Sequence, residues 1–342
     1  MTDPAPAGSW RDDVTPGAFE TAVGILEAAV RERATVVVAA HVGPDGDALG
    51  SALALHAALS DRGVRSLPTV GEDPLKVPAA MVDLPRVGDL VPPARLPPPT
   101  DVDLLVTVDA ASPGRLGSIV RYLDAGIRTI VLDHHATAVA FGEVRLVAPR
   151  AAATAQVAAE LLDRLGYDLT VNIATCLYIG LVTDTGRFGH AATDRGVMEL
   201  AGRLLDAGVD HAELTRRLFD TRSLGELRLL GRALDRLGFE PHVALVHTYV
   251  TAEELTRFGS GIEATDALVD VLRTADVAEV ALVLKPDPDG RWRGSLRSRG
   301  TLDVGHLAAA LGGGGHAYAA GFTAPGDPSV LVARVVELLR EE

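Results

Sequence analysis

The sequence predicts an α/β fold: a doubly wound, mainly parallel sheet in an N-terminal domain, joined by a helical connector to a smaller α/β domain. Three observations predict it. β-Branched apolar runs alternate with stretches of helical periodicity through the first two hundred residues. Several of those runs end in Asp or His, as strands do where an open parallel sheet binds ligands beyond its carboxyl edge. From about residue 194 the pattern turns helical, and strands return after residue 236. The expected boundaries are 18–205 for the first domain, 206–236 for the connector and 237–342 for the second domain.

The elements follow in order. A polar, Pro-containing tail runs to about residue 17, and "FETAVGILEAAVRER" then carries apolar residues at helical spacing. "TVVVAAH" suits a parallel strand buried on both faces. "DALGSALALHAALSDRG" is a helix ended by Gly63. "VRSLPTV", "DLLVTVDA" and "RTIVLDHH" are further strands, and "PPARLPPPTD" between the first two is a surface loop. "GVMELAGRLLDAGV" and "LGELRLLGRALDRLG" are helices, after which "HVALVHTYV", "VAEVALVL" and "RWRGSLRSRG" are strands. There is no internal repeat, and the one low-complexity patch is the "GGGG" at 312–315.

Composition narrows the functional classes. With 342 residues and 47% hydrophobic content the chain can fill two cores. Its apolar runs are too short for a membrane span, and "MTDPAPAGSWRDD" has neither the basic nor the apolar region of a signal peptide, so a cytoplasmic protein is expected. A single cysteine, Cys176, excludes an internal disulfide framework and a Cys-based zinc site, and its apolar surroundings make it a core residue. A formal charge of −14 opposes tight binding to long nucleic acid, and 4% aromatic content opposes a base-stacking platform. Small anionic substrates remain open to it where a site is locally positive or metal-loaded.

The chemistry gathers at the strand ends. His41, Asp45 and Asp47 follow the first strand, Asp109 ends "LLVTVDA", and Asp133, His134 and His135 end "TIVLDHH". Asp184, in "GLVTDTGRF", is expected at another strand end. Carboxylate and imidazole donors without thiolates suit Mn²⁺ or a similar divalent ion, and a bridging aspartate would serve two ions. Two ions about 3.5–4 Å apart are a common arrangement for splitting phosphoesters. Each aspartate taken alone is equally an N-cap for the following helix.

These residues resemble the DHH phosphoesterase superfamily, whose motifs stand here in order as "HVGPDGDALGS", "VTVDAAS", "LDHH" and "GLVTDTGRF". "LRSRG" followed by "GGGGHAYAAGF" resembles the DHH-associated substrate-binding domain, so the likeness covers nearly the whole chain. Within the superfamily it is most similar to bacterial nano-RNases, which degrade very short oligoribonucleotides and dephosphorylate 3′-phosphoadenosine 5′-phosphate (pAp); some relatives act on cyclic dinucleotides. The resemblance implies two Mn²⁺, with Mg²⁺ or Co²⁺ as substitutes. It assigns His41, Asp45 and Asp109 to one ion and Asp47, Asp109, His134 and Asp184 to the other. It implies that Asp133 orients its histidine neighbours and that His135 contacts the scissile phosphate or protonates the leaving oxygen. The expected activity is hydrolysis of short RNA, linear dinucleotides such as pApA, and pAp, with cyclic di-AMP as a further candidate. Three rivals share parts of the pattern: a RecJ-like exonuclease on long single strands, a manganese inorganic pyrophosphatase, and a non-catalytic cyclic-dinucleotide sensor.

The second domain adds its own candidates. Gly313, Gly314 and Gly315 would let backbone N–H groups approach a phosphate, with His316 beside them, although four glycines alone also describe a linker. In "SLRSRG" strand alternation points Ser295, Arg297 and Arg299 to one face, where the arginines would clamp phosphate. Arg187 would reach substrate or pair with a carboxylate. Tyr318 and Phe322 would stack a base or fill the core. His56, His190, His211, His242, His247 and His306 lack a motif and are expected to be structural. An apolar helix face within 194–236 is compatible with a homodimer or with burial on the first domain.

Overall fold

A parallel strand covered by helices on both sides has no solvent face, and the central strands of the first sheet accordingly have no polar side. The computed structural model describes residues 9–287, 289–300 and 302–341, and the chain divides into two compact units, the first ending at Asp220 and the second beginning at Thr221.

The first unit holds five parallel strands: β1 (Thr35–Ala40), β2 (Arg65–Val70), β3 (Leu104–Val108), β4 (Thr129–Asp133) and β5 (Val144–Val147), in the order β2-β1-β3-β4-β5. The chain leaves β1 for one side and then returns to β3 on the other. The strand order therefore reverses between β1 and β3, the position at which open α/β sheets form a crevice at their carboxyl edge. Helix α1 (Ala18–Glu32) precedes β1, and α2 (Gly46–Asp61) follows it. Beyond β3 come α3 (Val120–Asp124), α4 (Thr154–Arg164), α5 (Val171–Asp184), α6 (Arg195–Asp206) and α7 (His211–Phe219).

Helices α2 and α5 pack without an intervening layer of side chains. A Cβ at Gly50 would stand 2.3 Å from the Cys176 carbonyl oxygen, so only glycine permits this approach. The crossing brings the N-terminus of α2 beside the C-terminus of α5 and thereby fixes Asp47 and Asp184 relative to one another. Asp184 thus ends a helix and not the expected strand. Helix α5 is buried on nearly every side, so its sequence is apolar all round and lacks the 3.6-residue period that would have marked it. Cys176 lies fully buried in it, and burial pushes its thiol up to about 12, which makes it inert. The "PPARLPPPTD" loop forms two short 3-10 turns, Pro93–Arg95 and Pro99–Asp101.

The second unit is built on six strands: β6 (Gly238–Glu240), β7 (Leu245–Tyr249), β8 (Val280–Pro286), β9 (Trp292–Ser298), β10 (Gly314–His316) and β11 (Ala319–Ala324). Their order is β10-β11-β9-β8-β7-β6, antiparallel except between β7 and β8. Alternation along β8 divides two cores. Val280, Leu282 and Leu284 pack with α11 (Val304–Ala310) and α12 (Pro328–Leu339), while Ala281 and Val283 pack with α8 (Leu224–Asp235) and α10 (Asp266–Leu272). Helix α9 (Ala252–Phe258) carries a capping box between Thr251 and Glu254. The expected strand "HVALVHTYV" begins only at Leu245, since Pro241–Val243 form a 3-10 turn and Ala244 takes a left-handed backbone. The division between units falls between α7 and α8. Met198 and Leu205 of α6 and Leu224, Leu227 and Leu234 of α8 are exposed apolar residues. Among the described residues no helix is long and apolar enough to cross a membrane.

Candidate functional site

Each strand-end motif delivers its side chains to the reversal point between β1 and β3. After β1 the chain turns through Gly43, where the φ is 62°, and Glu72 accepts a 2.7 Å hydrogen bond from the Gly43 N–H. Asp45 then caps α2, its Oδ1 accepting from the N–H groups of Asp47 and Ala48. Its Oδ2 remains directed at the cluster, 3.8 Å from His41 Nε2. The cap and the ligand readings of Asp45 are therefore compatible, one oxygen for each.

Asp109 stands at the centre. Its φ of 58° is left-handed, a conformation costing a non-glycine residue about 1–3 kcal/mol, and it sits where function concentrates such strain. Its Oδ2 lies 3.5 Å from His41 Nε2, and its Oδ1 lies 3.6 Å from both His134 Nε2 and His135 Nδ1. The Thr154 hydroxyl donates to Asp109 Oδ1 at 2.8 Å. His134 Nε2 is 3.0 Å from Asp184 Oδ2. Its Nδ1 meets the Ala151 carbonyl at 3.2 Å; a carbonyl can only accept, so Nδ1 carries a proton, while Nε2–H donates to Asp184 in the protonated ring and would offer its lone pair to a metal once that proton leaves. Asp47 is fully buried and accepts from the N–H groups of Thr154 and Ala155 at the start of α4 and from the Ser51 hydroxyl.

Three overlapping groups of donor atoms result, each with its members within 4.8 Å of one another: His41, Asp45 and Asp109; Asp47, His134 and Asp184; and Asp109, His134 and His135. Asp109 and His134 belong to two groups each. All six metal-ligand candidates of the sequence are brought together, and His135 joins them. Asp133 is fully buried beneath: its Oδ1 accepts from the N–H groups of His134 and His135 and from His135 Nδ1 at 2.7 Å. Its Oδ2 is buried with no hydrogen-bond partner among the described residues.

The electrostatics are those of a crowded acidic site. Burial, then the charges of Asp109 and Asp184, push Asp47 well above the usual carboxylate range, although three N–H and O–H donors support its anion. Burial alone would raise Asp109 too, but the His41 bond and the charges of His134, His135 and His41 hold it low. Burial would lower His41, yet its bonds to Asp109 and Asp45 raise it to about 10. His134 and His135 are likewise raised against burial, His134 by Asp184 and Asp109, His135 by Asp133 and Asp109. Burial, partly offset by His134, raises Asp184. Protons on the imidazoles thus balance the carboxylates, and a divalent cation would serve the same purpose. Hard oxygen and borderline nitrogen donors, two of the carboxylates deeply buried, fit a bound metal ion.

Several participants carried no sequence signal. Thr154, Ala151 and Val42, whose carbonyl lies 2.9 Å from His41 Nδ1, are ordinary residues in loops or at a helix start. Arg115 approaches His41 Nδ1 to 2.8 Å from the 3-10 segment Pro113–Ile119. Arg187 has a left-handed φ of 61° and lies over the Phe219 ring at 5.0 Å.

In the second unit, Ser295 and Arg297 are half-buried on one face of β9, while Leu296 and Ser298 are buried on the other. Arg297 lies 3.5 Å from Asp270, and Arg299 donates to the carbonyls of Ala275 and Asp276 beyond α10. The glycines belong to a hairpin and not to a linker. A Cβ at Gly313 would meet the Gly321 carbonyl oxygen at 2.1 Å. One at Gly314 would meet nothing within 4 Å, so neither packing nor a positive φ demands glycine there. The side chain of His316 lies outside the described parts of the structure. Phe322 is buried beside Gly294 and fills the core, whereas Tyr318 is exposed. Of the motif-less histidines, His56 is buried against Ser66 and Asp89, His211 meets the Tyr178 hydroxyl, and His190 bonds the Asp184 carbonyl.

Comparisons with known proteins agree with this arrangement. Residues 35–181 match the DHH family N-terminal domain, and residues 247–341 match the DHHA1 domain. The chain is 36% identical over 308 residues to the bifunctional oligoribonuclease and PAP phosphatase NrnA of Thermus thermophilus, covering 90% of each chain. Its fold matches an exopolyphosphatase-related protein from Bacteroides fragilis with a TM-score of 0.88 at 24% identity, over 96% of this chain and 97% of that one. It also matches RecJ in complex with Mn²⁺ from Thermus thermophilus with a TM-score of 0.58 at 18% identity, over 99% of this chain and 56% of that one. With its motifs converging on one acidic and imidazole cluster, the chain belongs to the DHH family of phosphoesterases, which are hydrolases, and carries a C-terminal DHHA1 domain.

Proposed function

We propose that the chain is a cytoplasmic phosphoesterase for short nucleotides, hydrolysing very short oligoribonucleotides, linear dinucleotides such as pApA, and pAp. The observation that carries this reading is Asp109 at the sheet's reversal point, in one donor group with His41 and Asp45 and in another with His134 and His135, while His134 also joins Asp47 and Asp184. The chain's likeness to NrnA over most of its length supports the substrate class.

In this reading His41, Asp45 and Asp109 hold one Mn²⁺, and Asp47, Asp109, His134 and Asp184 hold a second, with Mg²⁺ or Co²⁺ as substitutes. Bound there, the ions would activate water and neutralise phosphate charge. The chain's own side chains do the rest. The Ala151 carbonyl keeps His134 Nε2 turned inward, and Thr154 steadies the shared carboxylate. Asp133 holds His135 by its Nδ1, and in this reading His135 contacts the scissile phosphate or gives a proton to the leaving oxygen. Against its burial, the bond to Asp133 and the charges of Asp109 and Asp133 raise His135 and so favour the protonated form that a proton donor needs. The second unit's substrate-binding candidates are Ser295, Arg297, Arg299, the backbone of Gly313, Gly314 and Gly315, and His316; Arg187 is a separate candidate in the first unit. Gly314 supports that role, because an exposed backbone free of any side chain admits a phosphate closely.

The test is turnover with Mn²⁺ on pAp, pApA, cyclic di-AMP, a five-nucleotide RNA and a fifty-nucleotide single-stranded DNA. Rapid hydrolysis of the short substrates with the long strand untouched is expected. Preference for the long strand would make the protein RecJ-like, and binding without turnover on every substrate would make it a sensor.

A further inference from the structure

Arg115 is exposed at the rim of the cluster, and its backbone is fixed there. The Val42 N–H donates to the Arg115 carbonyl at 2.8 Å, and the Arg115 N–H donates to the Ser112 carbonyl at 3.0 Å. Two residues on, Gly117 has a φ of 53°, and a Cβ there would stand 2.5 Å from the Gly71 carbonyl oxygen and 2.7 Å from Val42 Cγ1. No other residue fits, so the turn is seated directly against the residue that follows His41.

The guanidinium has no settled partner. Its Nη2 lies 2.8 Å from His41 Nδ1, and among the described residues no carboxylate lies within ion-pair distance of it. Yet the same Nδ1 lies 2.9 Å from the Val42 carbonyl. One ring nitrogen cannot both donate to a carbonyl and accept from a guanidinium. If Nδ1 accepted from Arg115, a neutral ring would carry its proton on Nε2, which faces Asp45 and Asp109 and would then be closed to a metal. If Nε2 serves as a ligand, Nδ1–H donates to Val42 and Arg115 must turn elsewhere. The ligand role of His41 and the Arg115 bond therefore exclude one another. A permanently charged, forked donor beside a metal-loaded site then needs an anion. In a chain with a net charge of −14, a local cation is also what admits a phosphate.

We propose that Arg115 binds the phosphate undergoing hydrolysis, an inference that rests on the phosphoesterase reading above. The alternative, that Arg115 merely orients His41, is answered by Val42, which fixes the ring without blocking Nε2.

The experiment compares the full chain with its Arg115→Ala and Arg115→Lys variants. Mn²⁺ binding is followed by electron paramagnetic resonance, and inorganic phosphate binding to the Mn²⁺-loaded protein by calorimetry, alongside kcat/KM for pAp. Losing a charge-assisted contact predicts that phosphate affinity and kcat/KM fall about 10- to 100-fold in Arg115→Ala, with Mn²⁺ affinity unchanged and partial recovery in Arg115→Lys. Phosphate affinity and kcat/KM within twofold of the parent would overturn the proposal. A parallel loss of Mn²⁺ affinity would overturn it too, by showing that Arg115 acts through His41. Failure of the phosphoesterase reading is separately visible, because the unmodified Mn²⁺-loaded chain would then turn over none of the short substrates.

Discussion

The strand-end cluster of the first unit and the arginine and glycine edge of the second are built on different principles. In the first, Asp47 and Asp109 are almost wholly buried and braced from several elements: Asp47 by the start of α4 and Ser51, Asp109 by Thr154 and three imidazoles. Burying so many acids together gains nothing for stability by itself, and the cluster could hold a metal ion. In the second, Arg297 and Arg299 are half-buried or exposed and already have partners in Asp270, Ala275 and Asp276. Those contacts hold the arginines in place before any substrate arrives. The difference teaches that costly placement marks a site more sharply than residue type does.

The sharpest way to break the contrast is to remove the shared carboxylate. Asp109→Ala is expected to lower kcat/KM on pAp by at least about 10²–10³-fold and to abolish tight metal binding, measured by steady-state kinetics and metal titration. Full activity with normal metal content would leave the first unit's cluster without its proposed purpose. Next in size is Thr154→Ala, which removes the donor to Asp109 Oδ1 without touching a ligand. A loss of about 10- to 100-fold in metal affinity or activity is expected, the effect typical of a residue that orients a ligand.

The pH dependence of metal binding follows from the protons that stand in for the cation. His41 is raised to about 10 in the metal-free chain, so between pH 6 and pH 9 it is protonated before the metal arrives and neutral afterwards. One proton leaves with each ion bound at that imidazole, and affinity should rise about tenfold per pH unit across the window. Isothermal titration in buffers of different ionisation enthalpy counts the protons directly; a flat profile would mean that His41 is not a ligand. The smallest effects belong to the second unit. Arg297→Ala and Arg299→Ala should each raise KM for pAp about tenfold with Mn²⁺ binding unaltered. If Arg299→Ala changes only the melting temperature, its two carbonyl contacts are its whole role.

The same contrast governs what the sequence revealed. Strands β1, β3 and β4 were legible as β-branched runs, and His41, Asp45, Asp47, Asp109, His134 and His135 as polar residues placed immediately beyond them. Asp184 was legible as a candidate but not as the end of a helix, because α5 is too deeply buried to show amphipathic spacing. Thr154, Ala151 and Arg115 were invisible: a threonine at a helix start, a loop carbonyl and an arginine in a turn become participants only when α4 and the segment after β3 are folded beside the cluster. In the second unit the glycine run was legible as a feature, but only geometry separates Gly313, which packing demands, from Gly314, which it does not.

The most direct test of the account is a Mn²⁺ titration of the metal-free protein, following spin coupling by electron paramagnetic resonance and pAp hydrolysis in the same samples. The account predicts two coupled ions per chain, with turnover appearing as the second site fills and disappearing on chelation. Full turnover with one ion or none would contradict it.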